Sequence, residues 1–413
     1  VIPRAGVSPF CSCKVLIVGG GAGGCSVAWR LSRALKDKSI VVLEPARVHY
    51  FQPSFTLVAA GIQDLSRSHR PECSVLPDDV TWVCDRANDF DPRNNVVYTT
   101  NGDKINYEFL VVAVGLKNDY DKITGLKEAL SIPTSNVSTI YSPEFCTKTW
   151  DTMKKFKGGH ALFTYPAAGG KCSGAAQKIM YLADDYWRKH KIRDNTNITY
   201  NTGGDAIFGV PKYATALAKV ASSRGIVVNY RANLIEVNSN GAVFAGPGVP
   251  YNFLHVTPPM SSPDCLKQCR DLVNEAGYMD VHPETLQHNT FPNVYGLGDC
   301  TSTPNSKTAA AVSAQSYVLE RNLLATMSGN EPTAKYNGYG ACPLLTSYSK
   351  GMLTEFLYNK TVCETFPFDQ SKERRLVYLL TKHVFPRLYW DHVVRGKWNG
   401  PSVLRKFLNP LGK

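Results

Sequence analysis

No apolar run in this chain reaches the ~18 residues that a membrane-spanning helix needs, which leaves a soluble or monotopic protein as the expectation. Cysteine is sparse and scattered, with twelve in 413 residues. No pair has the Cys-x-x-Cys spacing that suits zinc, and Cys11 and Cys13 are too close to share a metal without other ligands nearby. These gaps exclude a disulfide scaffold and argue against a bound metal. A reducing compartment with one or two special thiols fits better. Basic residues are scarce over the body relative to the tail. Residues 371–413 carry ten Lys/Arg and two Asp/Glu, a net +8 of the chain's +12. A nucleic-acid protein would spread its cations over a binding face, so no nucleic-acid partner is expected.

One loop is rich where its counterpart is poor. Lys14–Val18 reads as a buried strand entering Gly19-Gly20-Gly21-Ala22-Gly23-Gly24 and then a helix pattern. Gly19, Gly21 and Gly24 have the Gly-x-Gly-x-x-Gly spacing that brings a pyrophosphate onto backbone N–H groups at a helix N-terminus. Glu44 closes the next strand, Ile40–Leu43, 20 residues beyond Gly24, where an acid accepts from ribose hydroxyls. His160–Pro166 reads as a second such strand. Its loop, Ala167-Ala168-Gly169-Gly170-Lys171-Cys172-Ser173-Gly174, has lost the glycine spacing and holds a cysteine.

Two later segments favour FAD over NAD in the first site. Phe109–Gly115 is a strand ending in glycine. Asn293–Asp299 is a short apolar strand ending in Gly298-Asp299, placed to hold ribityl and pyrophosphate. The small-residue helix that starts at Lys307 has an N-terminus that can face the isoalloxazine. The expected class is α/β, with two Rossmann-like (FAD/NAD-type) domains and a C-terminal amphipathic helical membrane-association segment. The expected division is residues 1–125 for the first part of the FAD domain and 126–260 for a degenerate NAD-like domain carrying Cys172. Residues 261–365 would complete the FAD domain and hold the Cys342 loop, and 366–413 would be the basic tail.

In that tail, Leu376, Val377, Leu379, Leu380, Val384, Phe385, Leu388, Tyr389, Trp390, Val393, Val394 and Trp398 alternate with the cations. Short amphipathic helices lying on an anionic membrane are expected, the first broken at Pro386 and the second ended by Gly400-Pro401. The alternative is a helical pair packed on the body. Among the thiols, Cys172 follows Lys171 at a helix N-terminus, and both features lower a thiol pKa. Cys342 sits between a Gly/Tyr-rich turn and Pro343 and can meet Cys172 from the opposite side of the flavin. Cys25, Cys84 and Cys300 read as packing residues.

Longer stretches carry a resemblance. Glu44-Pro45 with His49-Tyr50-Phe51-Gln52-Pro53 is followed by Lys171-Cys172-Ser173-Gly174-Ala175-Ala176-Gln177-Lys178-Ile179-Met180-Tyr181. Leu254–Met260, Gly298-Asp299-Cys300, Ser306–Ala311, Cys342-Pro343-Leu344 and Glu364–Arg374 continue the series. Over nearly its whole length the chain resembles the eukaryotic-type sulfide:quinone oxidoreductases. The resemblance implies FAD, a redox pair of Cys172 and Cys342, hydrogen sulfide as donor and ubiquinone as acceptor. It also implies glutathione or another small sulfur acceptor, and peripheral attachment to the mitochondrial inner membrane. The cofactor set is then Gly19, Gly21, Ala22, Gly23, Gly24, Glu44, Gln52, Ala87, Gly115, Asp299 and Lys307, with Lys307 expected to favour a reduced, anionic flavin. Tyr348, Phe366, Pro367 and Phe368 are the expected quinone walls. The rivals are a non-proton-pumping NADH:quinone oxidoreductase and a non-catalytic FAD-stabilised membrane scaffold.

Overall fold

A computed structural model describes residues 10–37 and 39–410. Its first sheet has the strand order Thr81–Val83, Ile40–Leu43, Phe10–Val18, Lys104–Val112, Val96–Thr99, Ala87–Asp91. The run Val15–Val18 is at most 2% exposed, as expected of a parallel strand with both faces covered. Lys104–Val112 is shared along one edge. Its first half pairs antiparallel with Val96–Thr99, and its second half pairs parallel with Val294–Gly296. The last strand therefore returns to the sheet that the chain's beginning laid down, as the glycine-ended segments suggested. The helices Ala22–Ala34 and Ala309–Met327 pack through small residues, where the Ser26 hydroxyl donates to that of Ser316 at 2.9 Å.

The second sheet is wholly parallel, in the order Val137–Ser138, Phe253–His255, Gly159–Tyr165, Thr196–Thr202, Ile226–Asn229. Helix Ser173–Lys189 covers it and buries Trp187 and Tyr181 completely. A hairpin, Gly340–Leu345 with Gly351–Phe356, carries Cys342 opposite Thr354. No helix among the described residues is long and apolar enough to cross a membrane.

The tail departs from its expected form. Pro386 does not break a helix; helical backbone continues from Arg375 to Val393, widened to π-helical turns at Leu380–Val384 and Tyr389–Val393. The wider turn before Pro386 accommodates a ring that would otherwise clash with the carbonyl four residues back. The turn at Gly396 (φ +60°), not Gly400-Pro401, ends this segment, and Pro401 instead caps a last helix, Ser402–Leu408. Trp390 does not face outward either. It is 5% exposed beneath the Arg70 guanidinium, 4.5 Å from its ring centroid, and Tyr389, Val393 and Val394 join the same core. Arg30 and Arg33 of the first helix hold the carbonyls of Trp398, Arg395 and Gly396. The tail thus packs one face on the body and leaves Leu376, Leu379, Val384, Val403 and Phe407 on the other, with Phe407 82% exposed.

Candidate active site

A single cavity of about 820 Å³ reaches both the glycine loop and the second-half cysteine. Gly19 has φ +104°, and a Cβ there would lie 2.5 Å from the Ala113 carbonyl oxygen. Gly24 lies behind the loop rather than in the cavity, where a Cβ would sit 1.7 Å from the Gly19 carbonyl oxygen. Its role is to let helix and strand close up. A Cβ on Gly21 would meet nothing within 4 Å, because that residue faces the open cavity. The Glu44 carboxylate accepts the Gly20 and Ala46 amides, one on each oxygen, both at 2.7 Å. Each oxygen keeps a lone pair for a ribose hydroxyl. Burial raises the Glu44 pKa against the pull of those two amides.

Ala22, Gly23, Gln52, Ala87, Gly115, Asp299 and Lys307 also line the cavity. A dinucleotide fits this set: loop amides for a pyrophosphate, an acid at the ribose end, and cations toward the cysteine. Lys171 Nζ donates to Gln52 Oε1 at 3.2 Å, and Asp299 lies between the charges of Lys171 and Lys307. Burial drives Asp299 up and Lys307 down, and their mutual attraction opposes both shifts. Lys307 is more constrained than expected. Its ammonium donates to the carbonyls of Thr301 (2.6 Å) and Thr303 (3.1 Å), so it braces the loop after Asp299 as well as charging the cavity.

The sulfur of Cys172 lies 3.1 Å from that of Cys342. Cys172 lines the cavity, whereas Cys342 is 2% exposed behind it. At φ +42° Cys172 occupies a backbone region that β-carbon-bearing residues seldom adopt. Its amide donates to the Lys307 carbonyl (3.0 Å), and its carbonyl accepts from Ala175 N–H (2.8 Å). The Cys342 thiol, donating to Cys172, is the largest influence drawing the Cys172 pKa down to about 6. Burial opposes it, while the Lys178 charge and the Ala175 and Gly174 amides assist. The same bond, with burial, pushes Cys342 well up.

Two residues beside this pair, and a carboxylate at the far end of the cavity, were not singled out in the sequence. Lys178 is buried in the cavity wall, and although burial works against its charge, attraction to both sulfurs raises its pKa. Gly174 gives Cys342 room, since a Cβ there would stand 2.6 Å from its sulfur. The Glu355 carboxylate accepts the Tyr339 hydroxyl (2.7 Å), the Thr365 hydroxyl and amide (2.8 Å each) and the Gln370 side chain (2.9 Å). It thereby fixes Phe366 at the apolar end of the cavity, among Leu353, Leu380, Phe385, Leu388 and Leu404. Of the expected quinone walls only Phe366 lines this cavity. Phe368 stacks on Phe366 at 5.3 Å, Pro367 is not in the lining, and Tyr348 borders a separate recess.

The remaining thiols are quiet. Cys25 is buried and donates to the Gly20 carbonyl (2.9 Å), in a cluster with His49 and Glu72 that sequence reading missed. His49 contacts Glu72 (3.2 Å) on one ring nitrogen and the Tyr389 hydroxyl (2.7 Å) on the other. Burial pushes Cys300 up to about 11 and Cys146 up to about 12. Cys84, half-buried, points to the Pro45 carbonyl at 3.7 Å. The second loop cannot cradle a phosphate as the first does. The amides of Ala167, Gly169, Lys171 and Cys172 go to the Asn233 side chain, the Pro166 carbonyl, the Met260 sulfur and the Lys307 carbonyl.

Residues 13–150 match the pyridine nucleotide-disulphide oxidoreductase family. The chain is 46% identical to the mitochondrial sulfide:quinone oxidoreductase of Mus musculus, over 96% of this chain and 89% of that one. It is 43% identical to the protein of the same name in Dictyostelium discoideum, with the same coverage. The solved sulfide:quinone oxidoreductase of Aquifex aeolicus shares the fold, with a TM-score of 0.80 at 20% identity, covering 97% of this chain and 96% of that one. The chain therefore belongs to the sulfide:quinone oxidoreductases, FAD-dependent enzymes of the α/β, two-Rossmann class.

Proposed function

We propose that hydrogen sulfide is oxidised at the Cys172/Cys342 pair and that its two electrons reach ubiquinone. The observation that carries this reading is the 3.1 Å approach of two sulfurs at the end of a dinucleotide cavity. In the resting state the two cysteines are joined by a disulfide. Hydrosulfide attacks the Cys342 sulfur, forming Cys342–S–SH and releasing Cys172 as a thiolate, the leaving group favoured by the Lys178 charge and the amides of Gly174 and Ala175. A small thiol, glutathione by analogy, then takes the outer sulfur as its own persulfide and leaves Cys342 reduced. Reclosure of the disulfide from the Cys172 thiolate and the Cys342 thiol releases two electrons and one proton, and ubiquinone takes these up with a second proton from solvent to give ubiquinol. FAD bound in the cavity supplies the two-electron relay between the cysteines and the quinone.

The chain's residues divide the remaining work. Lys178 holds negative charge on the departing sulfur, and the Lys307 carbonyl fixes the Cys172 backbone. Gly21, Glu44 and Gln52 hold the cofactor, and Asp299 with Lys171 and Lys307 sets the charge near its reacting end. The apolar end behind Phe366 admits the quinone from the membrane side, and the exposed face of the tail rests on the bilayer. The named mitochondrial relatives support a mitochondrial site; peripheral attachment to the inner membrane is the further part of this proposal. The four-part division of the chain proposed from its sequence suits this scheme. Replacing Cys172 or Cys342 with Ser should abolish sulfide-dependent quinone reduction while FAD stays bound. Normal turnover in either variant would remove that cysteine from the mechanism.

A further inference from the structure

A second recess, of about 340 Å³, opens on the tail side of the molecule. Its lining is Tyr348, Ser349, Lys350, Arg375, Tyr378 and Leu379. The two walls are tied together, because Gly351 and Arg374 exchange backbone hydrogen bonds at 3.1 and 2.8 Å. Tyr348 is fixed by donating its hydroxyl to the Ala60 carbonyl (2.6 Å). The lining's charged residues are the cations Lys350 and Arg375, with Lys382 outside it on the next turn from Tyr378. Lys350, Arg375 and Lys382 have no ion-pair partner among the described residues, and the Lys382 ammonium lies 5.8 Å from the Tyr378 ring centroid. The nearby acids are already engaged. Asp185 pairs with Lys189 (2.8 Å) and accepts the Tyr348 amide, and Glu373 pairs with Arg224 (2.8 Å). Leu379 at the rim, with Leu376 and Val384 on the same helical segment, is 41–47% exposed.

We infer that this recess takes the phosphate headgroup of an anionic phospholipid. A recess with unpaired Lys and Arg donors suits a phosphate monoanion. Tyrosine rings suit the interfacial depth at which headgroup and glycerol meet. Leucines at the rim lie where acyl chains would continue. The inference deepens the membrane reading of the tail and rests on it. It turns general adhesion into recognition of one class of lipid and fixes the orientation of the apolar cavity end over the bilayer.

The test is flotation of the full-chain holoenzyme with vesicles of phosphatidylcholine alone, or of phosphatidylcholine with phosphatidylglycerol, at matched ionic strength. The variants are Lys350→Gln/Arg375→Gln and, as a control of equal charge change outside the recess, Lys397→Gln/Lys406→Gln. Two surface cations are worth about thirtyfold in affinity for anionic vesicles by charge alone, at roughly 1 kcal/mol each. The recess variant should lose at least about tenfold more than the control, and both should keep normal turnover in detergent. Equal losses would mean diffuse charge and would overturn the recess while leaving the membrane reading intact. Failure of the unaltered protein to float with any vesicle would remove both. Soluble dihexanoyl-phosphatidylglycerol should also slow acylation of Lys350 without vesicles. Equal protection by inorganic phosphate would reassign the recess to free phosphate and overturn the lipid assignment.

Discussion

The amide of Cys172 donates to the carbonyl of Lys307 across 3.0 Å. One backbone bond thus joins the loop that lost its phosphate-binding character to the residue just before the helix that closes the FAD domain. Lys307 also grips Thr301 and Thr303 through its ammonium. Lys307→Gln should therefore do more than remove a charge. Sulfide-driven flavin bleaching should slow by about tenfold or more in stopped-flow measurements, with FAD retained. Unchanged rates would discard both roles.

Gly174→Ala places a methyl group 2.6 Å from the Cys342 sulfur, far inside van der Waals contact. The sulfurs must then move apart. Sulfide:quinone turnover should fall by about tenfold or more, and the fully oxidised protein should show a titratable thiol at Cys342. Normal turnover would show that the pair tolerates separation.

In the reduced protein Cys172 is a thiolate above about pH 6 and gains its proton as pH falls through that value. Iodoacetamide should label it at a rate that rises through about pH 6 and levels off by neutrality. The depressed pKa also contributes stability that is complete above the ordinary thiol range and is lost as pH falls through about 6. Lys178→Met removes a buried charge that holds this pKa down. The labelling midpoint should then move up by about one unit or more, and an unmoved midpoint would exclude Lys178 from the thiolate's support.

Much of this site was legible in the sequence because a few residue types leave no alternative. Gly19 and Gly24 are demanded by carbonyl contacts that any side chain would block, and Glu44 ends a strand whose bounds follow from its apolar run. Cys172 stood out because it replaced glycines. Lys178 did not, since one lysine on a helix looks like another until packing turns it inward. The tail shows the limit of periodicity. Its pattern reveals two faces but not which meets protein, and Trp390 and Tyr389 fill the core of the FAD domain while Val403 and Phe407 stay outside. Tyr348 and Phe366 looked equivalent as aromatic residues near Cys342, and only the hairpin's geometry sends them to different recesses.

That burial changes how the tail should be tested. Deleting 371–413 would strip Tyr389 from His49 and open the core, so loss of membrane binding there would be confounded with unfolding. Val403→Asp/Phe407→Asp alters only exposed positions. Vesicle affinity should drop by about tenfold or more with thermal stability unchanged. Retained affinity would remove the last helix from the membrane face.

Tyr389→Phe isolates the inner contact. It leaves His49 Nε2 without its 2.7 Å partner, while Nδ1 of the same ring keeps its contact with the carbonyl of Gly20 in the glycine loop. A loss of roughly 1–3 kcal/mol is expected, read as a lower unfolding temperature of the holoenzyme. An unaltered temperature would show that this bond contributes nothing.

The central claim is that electrons enter from sulfide through Cys172 and Cys342 and not from a nicotinamide in the second domain. An anaerobic visible titration of the yellow holoenzyme, first with NADH and then with sulfide, tests it most directly. The account predicts no change with NADH, bleaching with sulfide, and no sulfide response in Cys172→Ser. Bleaching by NADH, with sulfide inert, would contradict it and return Cys172 to an ordinary loop cysteine.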